Sequence, residues 1–177
     1  DDLPPLPDGY TIDISSGTEA DPYPLGPLYC EGNLTITGSG VVRIDGTIYV
    51  KGNLVFNPTP DILILFNMQS IFAEGDISLQ PGCTTSGSGC VIAVGSIDYQ
   101  PNISGEDFVF LMSIEGMVTL QPGNDFYGSI AGDTEVYMQP NTTLNWTEAP
   151  DGLNFPGGDS GSGTTTGKLD VLTWQIS

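Results

Sequence analysis

Residues 71–81 read Ile-Phe-Ala-Glu-Gly-Asp-Ile-Ser-Leu-Gln-Pro, and the phrase returns with variation through the middle of the chain. Residues 48–58 are Ile-Tyr-Val-Lys-Gly-Asn-Leu-Val-Phe-Asn-Pro, and residues 91–101 are Val-Ile-Ala-Val-Gly-Ser-Ile-Asp-Tyr-Gln-Pro. Residues 112–122 are Met-Ser-Ile-Glu-Gly-Met-Val-Thr-Leu-Gln-Pro. Two weaker copies flank these: 28–37 keeps the Gly but not the Pro, and 130–140 keeps Gln-Pro but has Thr134 in place of the Gly. The pivot positions Gly32, Gly52, Gly75, Gly95, Gly116 and Thr134 are 20, 23, 20, 21 and 18 residues apart. Self-similarity at a nearly fixed period marks a repeat architecture.

Numbered from the pivot, four columns are apolar in nearly every copy. Two before it stand Cys30, Val50, Ala73, Ala93, Ile114 and Gly132; four before, Leu28, Ile48, Ile71, Val91, Met112 and Ile130. Two after stand Leu34, Leu54, Ile77, Ile97, Val118 and Val136; four after, Ile36, Phe56, Leu79, Tyr99, Leu120 and Met138. The positions between them are mostly polar, among them Glu31, Lys51, Glu74 and Glu115 before the pivot and Asn33, Asn53, Asp76 and Ser96 after it. Alternation of this kind is the period of a half-buried strand. A single ~20-residue coil cannot bury its own apolar row, so coils must stack and share one core, with strands about 4.8 Å apart. The pivot Gly suits a bend or bulge, and the closing Pro, unable to donate to a ladder, suits a corner. The fold expected is therefore all-β: a parallel β-helix or β-solenoid of about six coils of ~20 residues with capping terminal segments. The run 61–66, Asp-Ile-Leu-Ile-Leu-Phe, is apolar on both faces and should be covered by a terminal segment or a partner.

The chain divides into three stretches. Residues 1–26 are Pro-rich and read as an N-terminal cap, in which Tyr-Thr-Ile-Asp-Ile at 10–14 could form a strand over the first coil. Residues 27–143 are the coils. Residues 144–177 hold a C-terminal cap, a Gly/Ser/Thr linker over 157–167 and a final strand-like stretch, 168–177. In that stretch Leu169 and Val171 share one face and Leu172, Trp174 and Ile176 the other; it can fold back onto its own solenoid or add to a neighbour.

With 177 residues and 24 glycines, 14 prolines and no amphipathic helical pattern, one all-β domain is the expectation. The charge is lopsided: 22 acidic residues, three basic ones (Arg43, Lys51, Lys168), no His, and a net charge of −19. Nucleic acid and anionic membrane surfaces are thereby disfavoured as partners, since both are held by Lys and Arg. No run of about 20 apolar residues is present to span a bilayer. Cys83 and Cys90 bracket a Gly/Ser-rich insert at a corner of the third coil and are expected to form a disulfide, which would place the chain in an oxidising, extracytoplasmic compartment. Cys30 falls in an inward column and reads as a small buried apolar residue.

Three constellations could carry chemistry or binding. Outward carboxylates Glu74, Asp76, Asp98, Glu115 and Asp133 could serve a carbohydrate-active β-helix, but Glu74 and Asp98 fall in different columns, Val94 interrupts the series from Glu74 to Glu115, and without His every Ser-His or Cys-His arrangement is excluded. A solvated acidic face and no enzymatic activity is the reading preferred. Oxygen ligands for calcium are plentiful, with Glu106–Asp107 and Asp125 with Asp133 the clusters to watch, yet the calcium-binding nonapeptide and EF-hand patterns are missing, so no cofactor is assigned. Finally Asn57, Gln80, Gln100, Gln121 and Gln139 share a column, and amides stacked one coil apart can hydrogen-bond as a ladder.

The phrases Glu-Gly-Asn-Leu-Thr-Ile-Thr-Gly-Ser-Gly at 31–40, Ile-Asp-Gly-Thr-Ile-Tyr-Val-Lys-Gly-Asn-Leu at 44–54 and Phe-Ala-Glu-Gly-Asp-Ile at 72–77 resemble bacterial cell-surface β-solenoid domains of the type found in type IV pilus-associated, pilin-like proteins. Asn-Phe-Pro-Gly-Gly at 154–158 and the final stretch with Trp174 are similar to the ends of such domains. The resemblance implies an extracellular structural or adhesive module, a subunit or decoration of a pilus-like filament. Its partners would be other copies or other surface subunits, with carbohydrate as a further class, and it carries over no catalytic residues.

Overall fold

The structure, a computed structural model, describes residues 4–121, 123, 125–140 and 142–155. It is all-β, and every strand pairing is parallel: a β-solenoid of about seven turns. One wall is a seven-stranded sheet running Leu28–Cys30, Ile48–Val50, Ser70–Ala73, Gly89–Ala93, Val109–Ser113, Phe126–Gly132 and Leu144–Asn145. A second wall stacks Tyr10–Asp13, Leu34–Ile44, Leu54–Leu65, Ile77–Leu79, Ile97–Tyr99, Met117–Leu120 and Glu135–Met138. Two of its strands, Leu34–Ile44 and Leu54–Leu65, continue round a corner into a third, shorter wall completed by Tyr23–Leu25, Cys83–Ser86 and Asn102–Ile103. Among the described residues no helix is long and apolar enough to cross a membrane.

The columns fill the shaft. Leu34, Leu54, Ile77, Ile97 and Val118 lie directly over one another, as do Ile36, Phe56, Leu79, Tyr99 and Leu120. All ten are at most 1 % exposed, as are Val50, Ala73 and Ala93 on the facing wall. Tyr99 is enclosed with its ring edge-on to Phe126 at 5.7 Å and its hydroxyl 2.7 Å from Thr85 Oγ1, which supplies the partner a buried phenol needs. On the third wall Ile62, Ile64 and Phe66 point inward, while Leu63 and Leu65 are half-buried between Val41 and Arg43 on one side and Thr84 and Ser86 on the other.

Two assignments change. The N-terminal segment forms a coil of its own: Leu6 bridges Cys30, residues 10–13 pair with 34–37, and 23–25 pair with 42–44. That added coil makes the count about seven rather than six. In the fifth repeat the inward residues of the seven-stranded wall are Leu111 and Ser113, not Met112 and Ile114; Ser113 stands over Ala93, and Ile114 is 41 % exposed. One extra residue is accommodated between wall and pivot. Ser113 can be buried because its Oγ donates to Gly95 O (2.7 Å) and accepts from Gly116 N–H (2.9 Å).

The pivots lie at bends, as expected, but it is not an unusual backbone angle that calls for glycine there. None of Gly32, Gly52, Gly75, Gly95 and Gly116 lies in the left-handed region. What they lack is space: a Cβ on Gly52 would sit 2.7 Å from Asn33 Oδ1, and one on Gly75 or Gly95 would come closer still to Asn53 Oδ1 or Asp76 Oδ1. Each of those oxygens accepts the next coil's backbone N–H just after the pivot. The series runs Asn33 N–H to Asp8 (2.6 Å), Asn53 to Asn33 (2.9 Å), Asp76 to Asn53 (2.8 Å), Ser96 to Asp76 (2.7 Å) and Met117 to the Ser96 hydroxyl (3.3 Å). Met117 has no such oxygen to offer, and the sixth repeat duly carries Thr134 where the others carry Gly.

Replacing Ile77 by Asp would bury an unpaired carboxylate in the shaft and destabilise by roughly 4–5 kcal/mol, enough to unfold a domain of ordinary stability; loss of the cooperative thermal transition by circular dichroism is expected. Gly75→Ala should cost about 1–3 kcal/mol through overpacking. In an Asn53→Ala background the same change should cost less, by about 0.5 kcal/mol or more, because the oxygen it strikes is gone. Strict additivity in urea titrations would show that the ladder and the glycines are unconnected.

Candidate functional site

The outward face of the second wall is mostly polar: its columns carry the ladder residues beside Thr35, Val55, Ser78, Asp98, Thr119 and Tyr137. A shallow groove of about 360 Å³ crosses it, lined by Asp76, Ser78, Ser96, Asp98, Thr119 and Gln121 among others. Asp98 Oδ2 accepts from Gln100 Nε2 at 2.6 Å, whereas Oδ1 is buried without a hydrogen-bond partner. The amide column is aligned along the backbone: Gln80 N–H donates to Phe56 O, Gln100 to Leu79 O, Gln121 to Tyr99 O and Gln139 to Leu120 O. Between side chains, Gln139 Nε2 reaches Gln121 Oε1 at 2.6 Å, but Gln100 turns sideways to Asp98; Asn57 contributes its backbone carbonyl, which accepts from Thr37 Oγ1 at 2.9 Å. The ladder readable as a Gln column therefore lies mainly two outward columns away, at the residues just past the pivots.

The remaining carboxylates do not converge. Glu74 accepts a hydrogen bond from the Tyr49 hydroxyl, Asp76 belongs to the ladder, and Glu115 and Asp133 are exposed. Asp107 Oδ2 caps the Gly87 N–H at 2.7 Å, and Glu106 and Asp125 lie close enough to Tyr127 to raise its pKa, after desolvation as the larger cause. Among the described residues no three Asp, Glu, Cys or His side chains gather as ligands for a metal ion.

Cys83 and Cys90 are free thiols and not a disulfide. The insert between them is built as a strand: Cys83–Ser86 pairs with residues 62–65 in the third wall, so Cys83 points into the shaft. Cys90 belongs to the seven-stranded wall, where its neighbour Val91 points inward and Cys90 therefore points out. The two thiols face opposite sides of the sheet surface. Burial pushes Cys83 up to about 12 and Cys90 to about 11, holding both as neutral, unreactive thiols. The argument for an oxidising compartment that rested on this bridge falls with it.

The outward face of the seven-stranded wall is unlike the polar one. Tyr29, Tyr49, Phe72, Ile92 and Met112 form one residue per coil along it, with Tyr29–Tyr49 centroids 5.4 Å apart and Tyr49–Phe72 5.1 Å apart. The rings stack on one another, so their edges rather than their faces meet solvent, an arrangement ill suited to stacking on sugars. Beside this stripe Ser70 and Cys90 are fully buried although they point away from the shaft. The cover comes from the C-terminal segment. Asn154 N–H donates to Met68 O (2.9 Å), its Nδ2 to Gln69 Oε1 (2.9 Å) and Thr47 Oγ1 (3.1 Å), and its carbonyl accepts from the Ser70 hydroxyl. The Phe155 ring meets Phe110 edge-on at 5.8 Å. Sequence reasoning missed this contact because nothing in the periodicity of the coils marks Ser70 or Cys90 as covered from outside. The final strand-like stretch, 168–177, lies outside the described residues.

No protein-family model, no curated protein and no solved structure matches the chain. Its class is accordingly defined by the fold: an all-β parallel solenoid with one polar and one partly covered apolar outer wall.

With the thiols free, a thiol reagent added to denatured, unreduced protein will titrate all three cysteines of the chain and will react slowly with the native form. A count of one would restore a Cys83–Cys90 bridge.

Proposed function

We propose that the chain is a non-enzymatic structural or adhesive module of the cell surface, carried outside the cell as a subunit or decoration of a pilus-like filament. The observation that carries this reading is the use made of the outward polar groups. Asp8, Asn33, Asn53, Asp76 and Ser96 accept backbone N–H groups of the coil beneath them, so the residues best placed to act on a ligand hold the rod together instead. General acid–base work needs a pair of groups poised around a substrate, and the other outward acids stand singly. A stiff shaft with an acidic, soluble surface suits a spacer or display element, whose partners would be further surface subunits or other copies.

A carbohydrate-active β-helix is the second reading. It is favoured by the groove at Asp98 and by the unpartnered Asp98 Oδ1. Incubation with a panel of neutral and acidic polysaccharides separates the two. No new reducing ends and no ultraviolet-absorbing unsaturated products are expected. Cleavage that disappears in Asp98→Asn would replace the structural reading with the enzymatic one. For the location, protease treatment of intact cells that make the protein should remove it; protection until lysis would refute a surface role.

A further inference from the structure

The groove on the second wall has an aromatic ring beside it. Tyr137 in the last coil is the register partner of Thr119, which lines the groove, and at 45 % it is one of the large side chains that stay exposed. We propose that the groove at Asp98, together with Tyr137, binds a neutral sugar and is the contact through which the module adheres. This rests on the adhesive reading above and names its ligand class. Three observations lead there. First, the groove holds an acceptor with capacity to spare. Asp98 Oδ2 takes one hydrogen bond, from Gln100 Nε2, and the buried Oδ1 takes none, whereas an ionised carboxylate has about four acceptor sites. A carboxylate oxygen shut away from water without a donor is costly, and a ligand hydroxyl relieves that cost. The last torsion of an Asp side chain is broad and two-fold, so the unpaired oxygen can be presented to a ligand without moving the coil. Ser78, Thr119 and Gln121 line the same groove with groups that both donate and accept.

Second, Tyr137 offers what the stacked rings of the other wall do not. Among the described residues no ring packs against it, whereas Tyr29, Tyr49 and Phe72 cover one another. A sugar ring has an apolar C–H face and hydroxyls around its edge, so it takes an aromatic ring on one side and hydrogen-bonding groups on the other. Tyr137 is two strands from Asp98, with Thr119 between them, or about 10 Å at the ~4.8 Å strand spacing. Ring and carboxylate are thus set for neighbouring units of one oligosaccharide. Third, charge selects the class. Of the described basic side chains, Arg43 is paired with Asp45 at 2.6 Å and Lys51 with Glu31 at 2.8 Å, and neither lines the groove. With a net charge of −19 around it, the site repels uronic and sulfated sugars. A metal ion fits less well than a hydroxyl, because Asp76 Oδ1 is already taken by the Ser96 N–H and no three ligating side chains gather among the described residues. The groove, at about 360 Å³, is at the small end of the range of about 300–1,000 Å³ for ligand sites. A short, shallowly held sugar binds at about millimolar strength, and many copies displayed on one filament would raise that by about 10²–10⁴-fold.

The full chain is titrated with the short neutral oligosaccharides of cellulose, mannan, xylan and galactan, and with oligogalacturonate as the acidic contrast, followed by saturation-transfer NMR and calorimetry. At least one neutral oligosaccharide should bind with a dissociation constant of about 1 mM and be recovered intact, and oligogalacturonate should bind about tenfold more weakly or not at all. Asp98→Asn, which keeps an oxygen for Gln100, and Tyr137→Ser, on an exposed side chain, should each weaken binding about tenfold or more. Circular dichroism and the melting temperature should not change. Glu19→Gln, which removes one carboxylate from the first coil, should leave binding as it was. Failure of all four neutral sugars at about 10 mM would overturn the proposal. So would binding that survives Asp98→Asn and Tyr137→Ser together, or oligogalacturonate binding as tightly as the neutral sugars. Cleavage of the bound sugar, lost in Asp98→Asn, would replace adhesion by catalysis. Protease treatment of intact cells keeps the two readings apart: a surface-exposed protein that binds no neutral sugar would overturn the sugar site alone, and a protected one that binds would retain the site and remove the surface role.

Discussion

The first six coils are tied each to the next by a side-chain oxygen that accepts a backbone N–H just past the pivot, and this bond demands a glycine beside it. The oxygen of Asn53 occupies the place where a Cβ of Gly75 would be, and that of Asp76 the place of a Cβ of Gly95. The pair is indivisible: an Asx or Ser residue after one pivot requires a glycine at the next. Five such bonds run down one corner of the shaft, each worth about 1 kcal/mol or somewhat less where water competes. Their larger effect is on register. A slip of one residue would turn the whole apolar set of a coil to solvent, and the ladder fixes the corner from which each coil is counted.

The fold was legible because burial and period coincide. Ile48, Ile71 and Val91, or Leu54, Ile77 and Ile97, recur at spacings close enough to align by eye, and all are buried. The features that periodicity left hidden have causes in the same physics. The fifth repeat offers two apolar registers, Leu111 or Met112, and only the hydrogen bonds of Ser113 to Gly95 and Gly116 decide between them. Of the first coil only the strand near residues 10–14 was legible, because the coil is longer, with Leu6 over Cys30, and carries Asp8 beside the pivot corner with no recognisable copy of the repeat around it. The two cysteines misled because a Gly/Ser-rich insert reads as a loop, whereas Cys83–Ser86 finds a partner strand in residues 62–65. Of the candidate site, the polar columns were visible but their use as inter-coil acceptors was not, since that depends on the path of the backbone at the corner.

The two outer walls divide the surface between different tasks. On the second wall the outward side chains mostly bond along the shaft or stand in water, with a groove at Asp98. On the seven-stranded wall the outward side chains stack on one another, and Ser70 and Cys90 are buried only because the chain returns across them. Stability on this side thus depends on contacts between residues more than 80 apart in sequence, such as Asn154 with Gln69. Contacts of that range form late and add cooperativity between the coils they bridge.

A chain of net charge −19 must also avoid stacking like charges at the coil spacing. Two carboxylates about 4.8 Å apart repel by about 1 kcal/mol in water and by more at a partly buried surface. The outward columns keep them apart. Asp76 stands between Asn53 and Ser96, Asp98 between Ser78 and Thr119, and Lys51 separates Glu31 from Glu74 while pairing with Glu31 at 2.8 Å. The acidic residues are numerous but mostly interleaved with neutral or basic ones; where Glu115 and Asp133 follow one another in the column just before the pivots, both are exposed and water screens them.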